Sequence, residues 1–197
     1  MSINICVANE THVIYAEELA EMYRKSAEER KTGIAKRNPE YLRKKMINGD
    51  AIIALDNQKL VGFCYIETWS MKSYVANSGL IVAHEYRRHG LARTIKVHAF
   101  QLARDKYPEA KIFGITTSLA VMKINSELGY KPVTFSELTQ DDAFWSSCSS
   151  CPNYDILQRH ERRMCLCTGM LAPSKNELPE LDLSHLIINT QVVNEEA

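Results

Sequence analysis

Residues His84-Glu85-Tyr86-Arg87-Arg88-His89-Gly90-Leu91-Ala92 sit between an apolar run, Leu80-Ile81-Val82, and a pattern with helical spacing. The first amides of a helix have no partners within it, so they converge on whatever lies at that end, and the helix dipole adds positive potential there. Such an end is an anion site, above all for phosphate. Gly90 has no Cβ to hold a bulky phosphate away from the backbone, Arg87 and Arg88 add charge beside it, and Ala92 leaves the first helical turn open. His89 reads better as a donor to such a ligand than as a base, and the six histidines fall in no triad spacing. The same residues also suit a plain glycine turn with solvated arginines. Their place, directly after a strand and opening a helix, favours the phosphate.

A second set of chemistry-bearing residues lies further on. Cys148-Ser149-Ser150-Cys151 is a CxxC and Cys165-Leu166-Cys167 a CxC, with thirteen residues between the pairs. Tyr154 to Gln158 and Met164 to Leu171 read as a hairpin whose closure would bring Cys148, Cys151, Cys165 and Cys167 together. Four thiolates suit structural zinc, which leaves no open position for catalysis. Alternatively the four are reduced thiols, partly buried as small apolar groups.

The elements that must position these residues follow from periodicity. Ile3, Ile5 and Val7 alternate as a strand does, and Thr11 is placed to cap a helix carrying Val13, Ala16, Leu19, Ala20 and Tyr23. Glu28 to Arg37 is polar and basic and reads as a loop. Asn38-Pro39 starts a second helix and Asn48-Gly49 ends it. Ala51 to Leu55, Leu60 to Trp69 and Tyr74 to Ala83 are three strands, the first two joined as a hairpin. A long helix runs from Gly90 to about Tyr107, where Pro108 stops it; Lys111 to Ile115 is a further strand, and Ser118 caps a helix reaching Leu128. The order β-α-α-β-β-β-α-β-α predicts an α/β (α+β) fold, a mixed and mostly antiparallel sheet with helices on both faces. Residues 1–138 form this domain, 139–171 a small C-terminal Cys-containing extension of helix plus hairpin, and 172–197 a peripheral tail.

Composition excludes some classes of function. Lys plus Arg and Asp plus Glu both number 24 among the 197 residues, and 45% are hydrophobic, as in ordinary soluble globular proteins. The balanced charge argues against nucleic acid and against a polybasic membrane surface as partners. Met1-Ser2-Ile3-Asn4-Ile5-Cys6 does not read as a signal peptide, and no apolar stretch reaches the length of a membrane span. Six cysteines without an export signal point to a reducing compartment, by default the cytoplasm.

The strand Leu80-Ile81-Val82 followed by Arg87 to Ala92, and Glu127-Leu128-Gly129-Tyr130 at the end of a later helix, resemble the GNAT acetyltransferase superfamily. The spacing and element order agree from about residue 3 to 135. The resemblance implies an N-acyltransferase that uses acetyl-CoA or another acyl-CoA. It implies that the backbone of Ile81 and Val82 bonds the acyl carbonyl and pantetheine, and that the amides of Arg88 to Ala92 hold the coenzyme A pyrophosphate. Ser118 falls where the family often has an Asn that contacts pantetheine. Many members give the leaving thiolate its proton from a Tyr; Asn125 occupies that position here, and an amide cannot act as the acid. Asn125 would then bind substrate or thioester, with Tyr130 or water supplying the proton. Glu67 is the nearest carboxylate for a base acting through water, or else an ordinary strand-end carboxylate.

The basic loop Arg30 to Arg37 lies where the family commonly builds its acceptor pocket, and Lys36 and Arg37 suit an acidic acceptor; the plainer reading is a solvated loop. Thr32 to Ala35, Phe63 to Glu67, Tyr74 to Leu80, Lys123 to Tyr130 and Cys165 to Leu171 are similar to stand-alone bacterial N-acetylglutamate synthase-like proteins associated with arginine biosynthesis. That likeness implies glutamate as acceptor and leaves acetyl and succinyl donors both open. Two other readings stand beside it: transfer to protein amines, and a coenzyme A-binding regulatory module without catalysis. The expected partner is a small-molecule amine, with no nucleic acid and no membrane, and a homodimer is compatible with this reading.

Overall fold

In the computed structural model, which describes residues 3–30, 37–178 and 182–187, strand β1 (Ile3–Val7) buries Ile3 and Ile5 and pairs with β2 (Ala51–Asp56). β3 (Lys59–Trp69) returns through a turn in which Asn57 takes φ 55°, a left-handed conformation that Asn tolerates better than most residues. β4 (Tyr74–Val82) extends the meander. β5 (Lys111–Thr116) then joins β4 in parallel across helix α3 (Leu91–Lys106), and β6 (Lys131–Val133) and β7 (Thr168–Ala172) complete the sheet. The strand order is β1-β2-β3-β4-β5-β7-β6, and every pairing except β4 with β5 is antiparallel.

Helices cover both faces, as the element order predicts. On one face α1 (Ala16–Arg30) and α2 (Pro39–Ile47) place Leu19, Tyr23, Leu42 and Met46 against Ile53, Phe63 and Tyr65. On the other, α3 sets Ile95 and Ala99 on Ile52, Ala54 and Val61, while its Phe100 and Ala103 pack with Val75, Ile112 and Ile124 of α4 (Leu119–Glu127). Local chemistry sets the helix ends. The Asn38 side chain accepts from the Glu40 amide at 2.9 Å with Pro39 in the first turn, Ser118 caps α4, and α3 ends at Lys106, two residues before Pro108. Among the described residues no helix is long and apolar enough to cross a membrane.

The structure departs from the sequence expectations in four places. Asn9, not Thr11, caps the first helical turn: its Oδ1 accepts from the Thr11 amide at 3.0 Å and opens a 3-10 turn, Glu10–Tyr15, ahead of α1. Residues 28–30, read as loop, continue α1. Tyr154 to Gln158 is helical, within α6 (Tyr154–Arg159), so the expected cysteine hairpin does not form. A short apolar run carries no decisive period, and the strand that follows pairs elsewhere. That strand, β7, inserts between β5 and β6, with Ile112 opposite Ala172 and Val133 opposite Gly169. The segment between β6 and β7 is therefore an excursion from the sheet rather than an extension beyond it. Nor is the segment after 172 wholly peripheral, because Leu183 and Leu186 are buried in the α3 core.

The excursion has its own centre. In α5 (Asp142–Ser146), Phe144 and Trp145 pack on Ala76, Phe113, Phe135, Leu138 and Leu157, and Trp145 Nε1 donates to the Thr139 carbonyl at 2.8 Å. Trp145→Ala is expected to cost about 3–5 kcal/mol of unfolding free energy in denaturant melts, because it empties a fully packed site and orphans the Thr139 carbonyl. A loss below about 1 kcal/mol would mean that the excursion does not hold the fold together.

Candidate active site

β4 and β5 touch only at Tyr74–Ala76 and Lys111–Phe113. Beyond that point β4 stays on β3 as far as Val82, while β5 stays on β7 as far as Thr116, so the two strands part like a V. The gap opens into a cleft of about 540 Å³, bordered on one side by Asn77 to Ile81 and on the other by Gly114 to Ser118. A β-bulge sits on the β4 side, where the register slips between Phe63 and Tyr65. Gly79 takes φ +66° there, and Tyr23 donates its hydroxyl to the Gly79 carbonyl. A bulge of this kind turns backbone groups out of the ladder and toward whatever occupies the gap.

At the outer end of the V the chain makes the turn that the sequence marked. Arg88 and Gly90 both have left-handed backbones, at φ 70° and 81°, and Gly90 is the N-cap of α3 without any side-chain cap. Arg87 donates its amide to the His84 carbonyl and Arg93 donates to the Gly90 carbonyl; the amides from Arg88 to Ala92 find no acceptor among the described residues. Arg88 and His89 are exposed, Leu91 is buried, and Ala92 is half-buried. Arg87 is drawn back, its Nε donating to the Val82 carbonyl at 3.1 Å and its Nη1 standing 3.9 Å from Glu29. The arrangement is an uncapped helix end with a row of free amides, which is what an anion needs.

The opposite end of the cleft is aromatic and charged. The Arg37 guanidinium lies 5.9 Å from the Tyr23 ring centroid and 5.7 Å from that of Tyr65. Glu67 Oε1 accepts from the Tyr41 hydroxyl at 2.8 Å and pairs with Lys45 Nζ at 2.9 Å. Burial raises the hydroxyl pKa values of Tyr23, Tyr41 and Tyr65, so all three are neutral donors at ordinary pH. Trp69, from the end of β3, and Phe144, from the excursion, meet edge-on and close this end.

Of the residues the sequence singled out, Ile81, Ser118, Glu67 and Arg37 border the cleft together. Lys36 lies outside the described residues. Asn125 and Tyr130 are buried behind the cleft wall, 1% and 2% exposed. Asn125 Nδ2 donates to Met170 Sδ at 3.5 Å, and the Tyr130 hydroxyl faces Asn77 without closing a hydrogen bond. The cysteines do gather, and Cys148, Cys151 and Cys167 border the cleft. Burial, reinforced by the neighbouring thiols, pushes Cys148 up to about 11 and Cys167 up to about 12. Among the described residues, however, no group of three or more His, Cys, Asp or Glu side chains is placed to hold a metal ion, so the zinc expectation finds no support. Cys165 Sγ instead lies 3.8 Å from the Asn153 carbonyl, at the start of the helix that replaces the expected hairpin.

Two features of the cleft escaped sequence reasoning. The tyrosines around Arg37 come from α1, α2 and β3, which no local pattern joins. Lys96 is 1% exposed and borders the cleft from α3. Its signal was present: Ala92, Lys96, Phe100 and Ala103 form a second inward stripe at helical spacing, beside the apolar stripe through Leu91, Ile95 and Ala99.

Residues 15–121, more than half of the chain, match the Acetyltransferase (GNAT) family, and the chain belongs to it. The protein is accordingly a GNAT-type N-acyltransferase that depends on an acyl-CoA. Solved structures share the fold at low identity. N-acetylglutamate synthase from Neisseria gonorrhoeae, complexed with coenzyme A and N-acetyl-glutamate, superposes with a TM-score of 0.63 at 16% identity over 87% of this chain. This chain spans only 35% of that synthase. yncA from Salmonella typhimurium, with its cofactor acetyl-CoA, gives 0.61 at 12% identity, covering 92% of this chain and 99% of its own. The NatC complex bound to Gag peptide and coenzyme A gives 0.59 at 12% identity, covering 88% and 99%. Among curated protein sequences none matches this chain.

Proposed function

We propose that the protein transfers an acetyl group from acetyl-CoA to the amine of a small acidic amino acid, glutamate being the best candidate, as in arginine biosynthesis in the cytoplasm. The observation that carries this reading is Arg37, a permanent cation set between the Tyr23 and Tyr65 rings at the closed end of the cleft. A planar guanidinium held flat by aromatic faces suits bidentate binding of a carboxylate. In this reading the coenzyme A pyrophosphate rests on the amides of Arg88 to Ala92. Pantetheine runs down the V between β4 and β5, past Ser118, and the thioester carbonyl meets the backbone beside the Gly79 bulge, at Ile81 and Val82.

The amine nitrogen attacks the thioester carbonyl carbon, a C–N bond forms, and the carbonyl oxygen becomes an oxyanion that the β4 backbone stabilises. Collapse breaks the C–S bond and sends the electron pair to sulfur. Glu67, oriented by Lys45 and Tyr41, takes the amine proton through water.

Thiol release from acetyl-CoA with a panel of amines tests the acceptor. Glutamate should be turned over, and Arg37→Ala should raise its Michaelis constant about tenfold to a hundredfold, the worth of one charged hydrogen-bonded contact, while the acetyl-CoA constant holds. Arg37→Lys should recover only part of the loss, since a point charge cannot bind both carboxylate oxygens. Turnover confined to lysine peptides would transfer the protein to the class that acylates protein amines. No thiol release with any amine, from protein that binds coenzyme A, would leave a regulatory module.

A further inference from the structure

Where β4 and β5 begin to part, buried polar groups surround one cation. Lys96 enters from α3, 1% exposed, with its Nζ 5.7 Å from the Tyr130 ring centroid. Among the described residues no carboxylate lies within ion-pair distance of it. Cys64 approaches from β3 and donates its thiol to Asn77 Oδ1 at 3.0 Å. Asn77 Nδ2, Tyr130 Oη and Asn125 Oδ1 are all buried without a partner, in side chains that are 5%, 2% and 1% exposed. A buried polar atom without a partner costs about 1–3 kcal/mol, and three together with an unpaired ammonium make an expensive cluster to keep empty. The expense is understandable if the cluster is completed by a polar or anionic group that enters through the cleft.

We infer that Lys96 is the proton donor to the departing coenzyme A sulfur, filling the role that Asn125 cannot perform. This inference rests on the reading of the cleft as the thioester site, and it deepens that reading. As the C–S bond breaks, the electron pair moves to sulfur and an Nζ–H proton follows it, giving the free thiol and a neutral amine. Lys96 then regains a proton from solvent through the cleft, and the proton lost by the acceptor nitrogen leaves separately, so that amine and thioester give amide and thiol.

The surroundings suit this role. Burial lowers the Lys96 pKa, which makes its ammonium a stronger acid toward a thiolate than an exposed lysine. The titratable groups facing it are Cys64 from β3 and Tyr130 from the end of the α4 turn. Burial pushes Cys64 up to about 11 and raises Tyr130 further, so both are neutral. β4 contributes Asn77 and β5 contributes no titratable side chain at Phe113 to Thr116. A lysine ammonium is thus the sole charge here among the described residues.

Lys96→Met keeps the length of the side chain and removes the charge, and swaps of this kind in a buried site seldom unfold a protein. With the best acceptor of the panel, kcat should fall about a hundredfold or more while the Michaelis constant for acetyl-CoA changes little. The alkaline limb of the kcat profile, where wild type loses activity as the ammonium titrates, should disappear. A second measurement needs no turnover. Titration of bound coenzyme A by its thiolate absorbance should give a thiol pKa about 1–3 units lower in wild type than in Lys96→Met, because a cation beside sulfur favours the anion. Equal thiol titrations in the two proteins would overturn the proposal, as would a Lys96→Met enzyme with unchanged kcat and alkaline limb. A lowered thiol pKa without turnover of any amine would retain Lys96 beside sulfur and reject the enzymatic reading. Failure of coenzyme A to bind wild type would reject the site itself.

Discussion

Gly79→Ala is expected to abolish most of the activity of this acyltransferase and to lower its stability together. Gly79 stands at φ +66° in the β4 bulge, and an added Cβ would overlap the Tyr65 ring and stand 2.8 Å from Tyr23 Oη. Neither ring can retreat easily: Tyr65 meets Tyr41 edge-on at 5.6 Å, and Tyr23 is anchored through its hydroxyl to the Gly79 carbonyl. The overpacking costs about 1–3 kcal/mol, and the left-handed backbone adds about 1–2 kcal/mol for any residue with a Cβ. If the bulge flattens to relieve this, the backbone groups of Ile81 and Val82 turn away from the thioester. Loss of one aimed donor to an oxyanion lowers kcat about a hundredfold to a thousandfold. The measurements are a denaturant melt and kcat at a temperature where the variant is still folded. A folded Gly79→Ala enzyme with kcat within about twofold of wild type would show that the bulge is structural and that the oxyanion is held elsewhere.

Substitution of Gly90 acts on the other end of the cofactor. At φ 81° this residue turns the chain into α3 and leaves the amides of Arg88 to Ala92 uncovered. Gly90→Val adds a branched side chain against the space a pyrophosphate would occupy, and forces a left-handed backbone on a residue that resists it, at about 1–3 kcal/mol of stability. The expected result is an acetyl-CoA dissociation constant raised about tenfold to a hundredfold, equivalent to losing one charge-assisted hydrogen bond. Gly90→Asn separates the two effects, because Asn accepts the left-handed conformation at small cost but still carries a Cβ. It should remain as stable as wild type to within about 1 kcal/mol and still bind acetyl-CoA more weakly. Unchanged affinity in both folded variants would move the pyrophosphate away from this turn. Raising the salt concentration should weaken wild-type binding more than that of Gly90→Val, since an exposed phosphate contact is screened.

The parts of this protein that sequence alone determined are those whose physics is local. Asn38 with Pro39, Ser118, Gly49 and Pro108 mark helix ends because capping and the missing proline amide act within a few residues. The strand, turn and helix around Gly90 could be read together because an anion site at a helix terminus needs only consecutive amides. The order of elements then implied a mixed sheet with helices on both faces, and the family resemblance agreed. What tertiary structure decided depends on contacts between distant segments. The residues around the cysteines read as a separate hairpin, but β7 finds its hydrogen bonds on β5 and β6, and the intervening residues become a helical excursion that walls the aromatic end of the cleft. No local pattern joins Tyr23, Tyr41 and Tyr65; α1, α2 and β3 bring them to Arg37 and Glu67. Lys96 lies on an inward stripe of α3, but nothing local says what it meets there. Whether a helical lysine reaches water depends on what the sheet does beneath it, and here two parting strands leave a polar gap that its chain length fills.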